Sequence, residues 1–243
     1  MASGEAASGD TLSVIIPSWR EGPRLLDAVG AARLALGAVE VVVAAREECA
    51  EVRDRARADG VVWVDCPEPN RGQQLALGAS RAQGTRLVFL HTDTRLPVAA
   101  GALIHLALDA SGICGGAFRL RFDHRHPALD MLAFMSRVDL PTSFLGDQCM
   151  FCARSAYEAA GGFRAHPLFE DVDLACRLAR VGRLVRVRES VTTSARRFLQ
   201  RGPYRQLITN AMLMLAYHAG VSPHRLAQVY APSSADRAAS GAA

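Results

Sequence analysis

The sequence TLSVIIPSWREGPRLLDAVGAARLALG, residues 11–37, opens on an apolar run and passes directly into a helical pattern. The uninterrupted β-branched run of residues 11–17 predicts a parallel strand that is buried on both faces. Residues 22–36 predict a helix, with Pro23 in its first turn, where proline is favoured. A strand followed at once by a helix is the repeating unit of α/β domains.

The same alternation continues along the chain in both period and length. It predicts further strands at residues 39–45, 61–65, 85–90, 115–122, 148–153 and 183–188, and helices at 48–58, 72–83, 97–110, 129–138, 169–181, 204–219 and 223–230. This pattern predicts an α/β fold with a mostly parallel central sheet flanked by helices and a C-terminal helical segment. Because we find no repeat and no linker, we expect one domain over residues 11–231, a disordered lead at 1–10 and a disordered tail at 232–243.

Basic residues are all of one type, because the 28 Lys and Arg of this 243-residue chain are all arginine. The lack of lysine excludes a Walker phosphate loop and a lysine Schiff base, and a GC-rich coding sequence explains it. A net charge of +4 is too small to indicate a nucleic-acid partner. The stretch from Arg177 to Arg205 nevertheless carries +8, which suits a phosphate-bearing ligand or an anionic membrane surface.

Six cysteines are scattered without the spacing of a disulfide framework, and reduced thiols are typical of a cytoplasmic protein. Cys149 and Cys152 form a CxxC pair, but within a predicted strand their side chains point to opposite faces, so we expect neither zinc nor redox chemistry there. The first ten residues have no basic region and no apolar core, which does not fit a secretory signal.

One predicted helix is unusually apolar. Residues 207–219 read LITNAMLMLAYHA, which is thirteen residues and well short of the roughly 20 that span a bilayer. A buried core helix is the favoured interpretation. The alternative is an interfacial element, since the arginine-rich stretch lies beside it.

Candidate functional residues follow the predicted strands, because open α/β sheets bind ligands at the carboxyl ends of their strands. Asp93 follows the fourth strand, where a carboxylate suits either a metal ion or the cap of the next helix. Glu170 and Asp171 stand in a first helical turn, where the helix macrodipole keeps carboxylates ionised. Arg196 and Arg197 follow a strand and suit bidentate phosphate contacts.

Taken in order, several short elements together resemble the family 2 glycosyltransferases, and most closely a small bacterial subgroup with HADTRLP, GDQ and SARRW elements. The resemblance covers about residues 12–230. The matching elements are VIIPSWRE (14–21), FLHTDTRLP (89–97), GDQCMF (146–151), GGFRAHPLFEDVDLACRL (161–178), TSARRF (193–198) and a closing GVSP (220–223).

The resemblance implies a GT-A fold, a nucleotide-diphosphate sugar as donor and inversion at the anomeric carbon. In that family an acidic DxD element holds Mg²⁺ or Mn²⁺ on the donor diphosphate; here His91 replaces the first acid, which leaves Asp93 as the metal ligand. Asp171 matches the aspartate of the family's ED pair and would be the catalytic base. Glu170 would orient this base or the acceptor.

The resemblance also supplies substrate-binding candidates, which are Pro17, Glu21, Arg71, Asp147, Gln148, Arg196 and Arg197. Arg196 and Arg197 would offset charge on the departing diphosphate, and Arg71 would contact the nucleotide. One element departs from the family, because the usual aspartate after the second strand is absent from Ala44-Ala45-Arg46-Glu47-Glu48. Either Arg46 or Glu47 replaces it, the nucleotide is recognised differently, or donor binding has been lost.

Three functions remain open. The leading hypothesis is a cytoplasmic, inverting, metal-dependent sugar transferase acting on a small or lipid-like acceptor, with peripheral contact to the inner face of the cell membrane left open. The second is a degenerate GT-A domain that binds a nucleotide or a partner without catalysis. A sugar-1-phosphate nucleotidyltransferase is disfavoured, since such enzymes use a phosphate-binding lysine and this chain has none.

Overall fold

The structure is a computed structural model that describes residues 10–68 and 70–230. Eight strands form one sheet with the spatial order β3-β2-β1-β4-β7-β6-β8-β5. The strands are β1 (Leu12–Trp19), β2 (Val39–Arg46), β3 (Val62–Asp65), β4 (Arg86–Phe89), β5 (Thr94–Arg95), β6 (Ile113–Phe122), β7 (Met150–Ala153) and β8 (Arg183–Thr193).

In the described part of the chain, ten helices connect or cover these strands, with 3₁₀ turns at Pro141–Ser143 and Gly146–Gln148. The helices are α1 (Pro23–Leu36), α2 (Ala50–Ala58), α3 (Arg71–Arg81), α4 (Ala100–Asp109), α5 (Pro127–Met135), α6 (Arg154–Ala159), α7 (Glu170–Val181), α8 (Arg196–Arg201), α9 (Pro203–His218) and α10 (Pro223–Tyr230). The predicted α/β fold, a mostly parallel sheet flanked by helices, is confirmed.

Strand β1 lies at the centre of a parallel group formed by β3, β2, β1 and β4, so its neighbours end at the same edge of the sheet. Ile15 pairs with Val42 of β2 on one side and with Phe89 of β4 on the other. Strand β7 then runs antiparallel to both β4 and β6, while β6 and β8 are parallel. The carboxyl ends of β1, β2 and β4 therefore meet along one edge.

The core has one apolar cluster on each face of the sheet. Val14 and Ile16 of β1 belong to the cluster that includes side chains of α1, α2 and α4, whereas Ile15 belongs to the cluster with α3 and α7. This alternation is what a doubly covered strand requires. Helix α3 approaches β1 so closely that a Cβ on Gly78 would stand 2.5 Å from Cγ2 of Ile15.

Several boundaries differ from the sequence prediction. Strand β8 continues to Thr193, five residues beyond its predicted end, because residues 190–193 pair with β6 past a register shift. The short elements β5, α6 and α8 were not predicted, since two to six residues carry too little periodicity. Gln148 and Cys149 lie outside β7, with Cys149 in the left-handed region at φ 52°.

The six cysteines are all free, as expected from their spacing. Cys149 and Cys152 are fully buried, and burial raises the pKa of both thiols well above the ordinary value. Buried neutral thiols of this kind behave as small apolar side chains. Nothing in the described part of the chain pairs them with a metal-binding group.

The favoured interpretation of residues 207–219 as a buried core helix is wrong. Only Gln206 and Leu213 of α9 are buried. The helix packs against α5, α8 and α10 and leaves one of its sides uncovered. Within the described ranges no helix is long and apolar enough to cross a membrane.

The predicted disordered ends fall almost entirely on residues 1–9 and 231–243, which lie outside the described residues. Asp10 is described, and its carboxylate accepts hydrogen bonds from the Arg86 guanidinium and from Oγ1 of Thr85, the latter at 3.0 Å. The prediction of disorder was therefore wrong for Asp10, because Arg86 and Thr85 at the beginning of β4 hold it.

Candidate active site

A cavity of about 610 Å³ opens at the carboxyl ends of β1, β2 and β4. Nine of its lining residues are candidates or neighbours already named from the sequence: Pro17, Glu21, Arg46, Arg71, His91, Asp93, Asp147, Asp171 and Arg197. The sheet brings these residues together from positions up to 180 residues apart in the chain. The cavity is therefore the place where the sequence candidates can act as a group.

Asp171 is buried in the first turn of α7, as the helix pattern predicts. Its Oδ2 accepts a hydrogen bond from the backbone N–H of Gly146 at 2.6 Å, and Oδ1 accepts one from the N–H of Val172 at 2.7 Å. Burial, together with the neighbouring carboxylate of Glu170, raises the pKa of Asp171 to about 6. A carboxylate with this pKa is partly protonated near neutrality and can exchange a proton there.

The residue immediately before Glu170 and Asp171 has a strained backbone. Phe169 precedes α7 in the left-handed conformation at φ 60°, and its ring packs against Tyr217 of α9 at 4.9 Å between centroids. A non-glycine residue in this region costs free energy and persists only where its surroundings impose it. The contact with α9 is one such constraint, and it fixes how α7 begins.

Glu170 does not line the cavity, because its side chain points into the interior and is completely buried. Its Oε1 accepts a hydrogen bond from Nε of Arg71, which comes from the beginning of α3. The other oxygen, Oε2, has no hydrogen-bond partner among the described residues. Glu170 therefore holds Arg71 against the cavity instead of reaching the cavity itself.

Asp147 and Gln148 are adjacent in sequence but take different positions. Asp147 lines the cavity, and its buried Oδ1 has no hydrogen-bond partner in the described part of the chain. Burial, then the charges of Asp171 and Asp93, raises the pKa of Asp147 to about 7. Gln148 is buried away from the cavity, where its Oε1 accepts a hydrogen bond from Nη1 of Arg186.

Arg186 fixes the segment that carries Asp147. Its guanidinium donates to the carbonyl oxygens of Val138 and Ser143, each at 3.3 Å, as well as to Gln148, and it stacks 4.0 Å from the centroid of the Phe144 ring. Burial lowers the pKa of Arg186 to about 10, which leaves it charged at neutral pH. Gln148 therefore acts through this anchor and not by direct contact with the cavity.

Asp93 and Arg197 lie at the outer part of the cavity, and both are exposed. Nη1 of Arg197 donates to the hydroxyl of Tyr230 at 3.4 Å, which links α8 to α10. Arg196 is also exposed but does not line the cavity. Its charge acts on Glu21. Burial raises the pKa of Glu21, and the positive charge of Arg196 offsets part of this rise.

Glu48 organises the loop that follows β1, a role that sequence reasoning missed. Its carboxylate accepts hydrogen bonds from Oγ of Ser18 at 2.7 Å and from the backbone N–H groups of Glu21 and Gly22, at 2.7 and 3.0 Å. The only signal in the sequence was the run of two acids after β2. Glu48 thereby satisfies the donors that begin α1 and holds Glu21 beside the cavity.

Glu47 and Arg46, the two candidates for the missing aspartate, form an ion-paired cluster at the end of β2. Glu47 is bound by Arg20 at 2.5 Å and by Arg46 at 2.6 Å, and Nε1 of Trp19 donates to it at 3.4 Å. Arg46 lines the cavity, and its Nε is buried without a hydrogen-bond partner among the described residues. Of the two, Arg46 is therefore the side chain that faces the cavity.

His91, at the position of the missing first acid, is neutral. Burial, and after it the positive charges of Arg71 and Arg197, lowers the pKa of His91 to about 3. The ring lies so close to Gly146 that a Cβ there would stand 2.9 Å from Nε2 of His91 and 3.3 Å from Oδ2 of Asp171. The glycine of the GDQ element is thus required by close packing against both side chains.

In the described residues, the protein alone does not supply enough ligands to hold a metal ion. Residues 10–68 and 70–230 contain no group of three or more His, Cys, Asp or Glu side chains that could hold a metal ion. Asp93 offers one exposed carboxylate beside the cavity. This donor set fits a hard cation that takes its other oxygen ligands from a bound phosphate and water, as Mg²⁺ often does.

The C-terminal helices supply a wall of the cavity that the sequence did not indicate. Asn210, Leu213 and Met214 of α9 line it, together with Ala227 and Tyr230 of α10. In sequence, the apolar residues of α9 and α10 follow the ordinary pattern of an amphipathic helix, which does not reveal what they pack against. Only the tertiary packing shows that this face borders the cavity.

By sequence, no protein-family profile matches the chain, and no characterised protein is significantly similar to it. Comparison of structures is informative. A mannosyltransferase from Pyrobaculum calidifontis, solved with GDP-Man and Mn²⁺, superposes with a TM-score of 0.64 at 17% identity and covers 88% of this chain. This chain spans 65% of the length of that protein.

Two further structures show the same likeness. Glucosyl-3-phosphoglycerate synthase from Mycobacterium tuberculosis, solved with Mn²⁺, UDP and glucosyl-3-phosphoglycerate, gives a TM-score of 0.57 at 18% identity, over 85% of this chain and 80% of that one. TarS from S. aureus gives 0.59 at 12% identity, over 91% of this chain and 42% of that one. The predicted GT-A fold is confirmed, and these neighbours are nucleotide-sugar glycosyltransferases.

Proposed function

We propose that this chain is an inverting, metal-dependent glycosyltransferase of family 2, which moves a sugar from a nucleotide-diphosphate donor to an acceptor hydroxyl. One observation carries the proposal: in a GT-A fold, the carboxylate of Asp171 lines the cavity at the strand ends with its pKa raised to about 6. Residues 11–231 act as one catalytic domain.

Asp171 is the general base. The acceptor O–H gives its proton to the Asp171 carboxylate while the acceptor oxygen bonds to the anomeric carbon. The bond from that carbon to the diphosphate breaks on the opposite face, and the diphosphate leaves with the electron pair. The N–H of Gly146 keeps the carboxylate oriented at 2.6 Å, and a pKa of about 6 leaves it mostly ionised at neutral pH.

Charge on the leaving diphosphate is offset at the outer part of the cavity. Arg197 lines the cavity and contacts the diphosphate, while Arg196 beside it adds to the local field. Mg²⁺ or Mn²⁺ would be held by Asp93 together with the diphosphate, and it would supply further neutralisation of the leaving group. His91 is neutral and adds no charge to this site.

The nucleotide lies along β1 and β2. Pro17 and Glu21 line this side of the cavity, and Arg71 is held there by Glu170. Arg46 takes the position of the missing aspartate, since its Nε is buried and unpartnered among the described residues. An arginine there would read carbonyl or phosphate oxygens of the nucleotide, whereas an aspartate would read N–H or O–H donors.

The acceptor binds between Asp147 and the C-terminal helices. The unpartnered Oδ1 of Asp147 is available to accept a hydrogen bond from an acceptor hydroxyl. Leu213 and Met214 provide an apolar wall beside it, which suits a lipid-like acceptor. The free thiols support a cytoplasmic location.

A degenerate domain that binds a nucleotide without catalysis is the second candidate. Two observations favour it: Arg46 stands where the family has an acid, and no three-ligand metal group occurs in the described part of the chain. The two candidates differ in whether a donor sugar is turned over. Thermal stability and turnover together separate them.

A thermal-shift screen tests the proposal. UDP-sugars and GDP-sugars are each added to the purified chain with Mn²⁺, with Mg²⁺ or with EDTA, and the melting temperature is measured. We expect at least one donor to raise the Tm by several degrees only when a cation is present, since ligands that bind the native state stabilise it. The absence of a shift with every donor and cation would contradict donor binding, and a shift without turnover would favour the degenerate domain.

A further inference from the structure

Helix α9 exposes an apolar stripe along the whole of its outer face. Tyr204, Ile208, Met212 and Leu215 are 58, 59, 65 and 70% exposed. Their spacing places them on one side of the helix, opposite Gln206 and Leu213, which are its buried residues. Four bulky apolar side chains exposed on one side of a helix form a surface that a partner is expected to cover.

The neighbouring helix extends this apolar surface. Helix α5 packs against α9, and the rings of His126 and Tyr204 meet edge to face at 5.1 Å between centroids. Met131, Phe134 and Met135 of α5 are 53, 63 and 54% exposed. The two helices together therefore carry seven large exposed apolar side chains on adjacent parts of the surface.

The C-terminal segment that carries the stripe is basic. Residues 190–230 contain five arginines and no Asp or Glu. Arg205 is exposed and borders the stripe, being one residue from Tyr204 and three from Ile208. Helix α5 contributes apolar area and one exposed acid, Asp130, so the positive charge belongs to the C-terminal helices.

The charge identifies what covers the stripe. The segments outside the described residues, 1–9 and 231–243, contain no bulky apolar side chain other than Met1, so they cannot fill it. A second copy of the chain, docked through the same face, would bring two sets of arginines together, and the like charges would repel. An anionic lipid surface satisfies both features, because it accepts apolar side chains and attracts arginine.

We propose that α9 and the adjacent face of α5 bind the surface of an anionic bilayer, with Ile208, Met212 and Leu215 inserted at the level of the lipid headgroups. The opposite face of α9 lines the cavity through Asn210, Leu213 and Met214. Binding in this way would therefore hold the cavity beside the bilayer. This consequence rests on the proposed function: it brings an acceptor with a lipid anchor within reach of Asp171.

Vesicle co-sedimentation tests the inference without knowledge of the acceptor. The full chain is mixed with vesicles of phosphatidylcholine alone, or of phosphatidylcholine with about one third phosphatidylglycerol, at low and at high NaCl. We expect binding to the phosphatidylglycerol vesicles that falls at high salt. The variant Ile208→Ser/Met212→Ser/Leu215→Ser should bind at least about tenfold more weakly, since it removes most of the inserted apolar area.

A matched control removes exposed apolar side chains elsewhere. Leu34 on α1 and Leu106 on α4 are 90 and 72% exposed, and Leu34→Ser/Leu106→Ser should bind vesicles like the wild type. Circular dichroism and the Tm establish that both variants fold. If the wild type does not bind phosphatidylglycerol vesicles at low salt, or if the triple variant binds them equally well, the inference is wrong.

Sedimentation velocity separates the competing occupant. A wild-type dimer that the triple substitution converts to a monomer, with vesicle binding unchanged, would assign the stripe to a second copy and overturn the membrane inference. The donor-dependent thermal shift is measured in parallel. Absence of vesicle binding by the wild type, with an intact donor shift, contradicts only the inference, whereas the absence of a donor shift contradicts the proposed function.

Discussion

The inner and outer parts of the cavity carry the same kinds of charged residue in opposite surroundings. In the inner part, Asp147 and Asp171 are removed from water, and their pKa values rise to about 7 and about 6. In the outer part, Asp93 and Arg197 are exposed to solvent. Burial makes a carboxylate basic enough to take a proton, whereas an exposed charge stays fixed and suits a diphosphate or a cation.

The depth of a charged residue in the cavity therefore decides its role: buried carboxylates suit proton transfer, and exposed charges suit electrostatic binding of the donor. Glu170 and Arg71 illustrate the boundary, since a completely buried carboxylate holds an arginine that reaches the cavity. If the comparison is correct, substitutions in the inner part change catalysis and stability strongly. Substitutions in the outer part change donor binding weakly.

The largest effect is expected for Asp171→Asn. The amide cannot accept the acceptor proton, so turnover of the donor should fall about 100- to 10,000-fold, the usual contribution of a general base. The amide oxygen can keep the N–H bond from Gly146 but not also the one from Val172, so the variant should still fold and the donor-dependent Tm shift should remain. Wild-type turnover in the purified variant would show that Asp171, although buried in the inner part of the cavity, is not the catalytic base.

A smaller effect is expected for Asp147→Asn, which should make the protein more stable at neutral and higher pH. Because the pKa of Asp147 in the folded state lies well above the usual carboxyl value of 3.8, the free energy of unfolding falls as the pH rises from about 4 to about 7 and levels off above that. A neutral amide avoids this loss. We expect the variant to be about 1–3 kcal/mol more stable than the wild type near pH 8, and nearly equal to it only at about pH 4.

Urea unfolding of both proteins at the two pH values measures this difference. The comparison at about pH 4, where ionisation of Asp147 costs the folded state little, is the internal control. Equal stability of the two proteins at both pH values would show that Asp147 is not held in a low-dielectric environment.

The smallest effects belong to the outer part. Arg197→Ala should weaken donor binding about two- to fivefold, as expected for a solvent-screened contact worth about 0.5–1 kcal/mol. Arg196→Ala is the matched control, since Arg196 is also exposed but does not line the cavity. Isothermal titration with the donor, at two salt concentrations, measures both. A larger loss for Arg196 than for Arg197 would reverse their assignment.

The sequence was sufficient for the fold because long periodic segments determine it. The alternation from residue 11 to residue 90 predicted β1, α1, β2 and α3 to within two residues at nearly every boundary. The sequence also placed Asp93 after a strand, Asp147 just before one and Asp171 in the first turn of a helix, and all three line the cavity. These residues adjoin strongly patterned elements, so their places along the chain follow from the pattern.

Other features could not be predicted, because they depend on contacts distant in sequence. The bond from Arg71 to Glu170 joins residues 99 positions apart, and Arg186 reaches Gln148 across 38. The interpretation of α9 as a core helix failed for the same reason. Its composition resembles that of a buried helix, and only the absence of packing on one side distinguishes it.

The dependence of donor turnover on pH tests the central claim most directly. With the donor that gives the largest thermal shift, release of nucleoside diphosphate is measured from about pH 4.5 to about pH 8.5, with water as the acceptor, for the wild type and for Asp171→Asn. Because the base must be ionised, we predict that the wild-type rate rises with pH through about 6 and then levels off, and that Asp171→Asn loses this rise. A wild-type rate that does not change between pH 5 and 7, or an unchanged rise in Asp171→Asn, would contradict the role of Asp171 as the catalytic base.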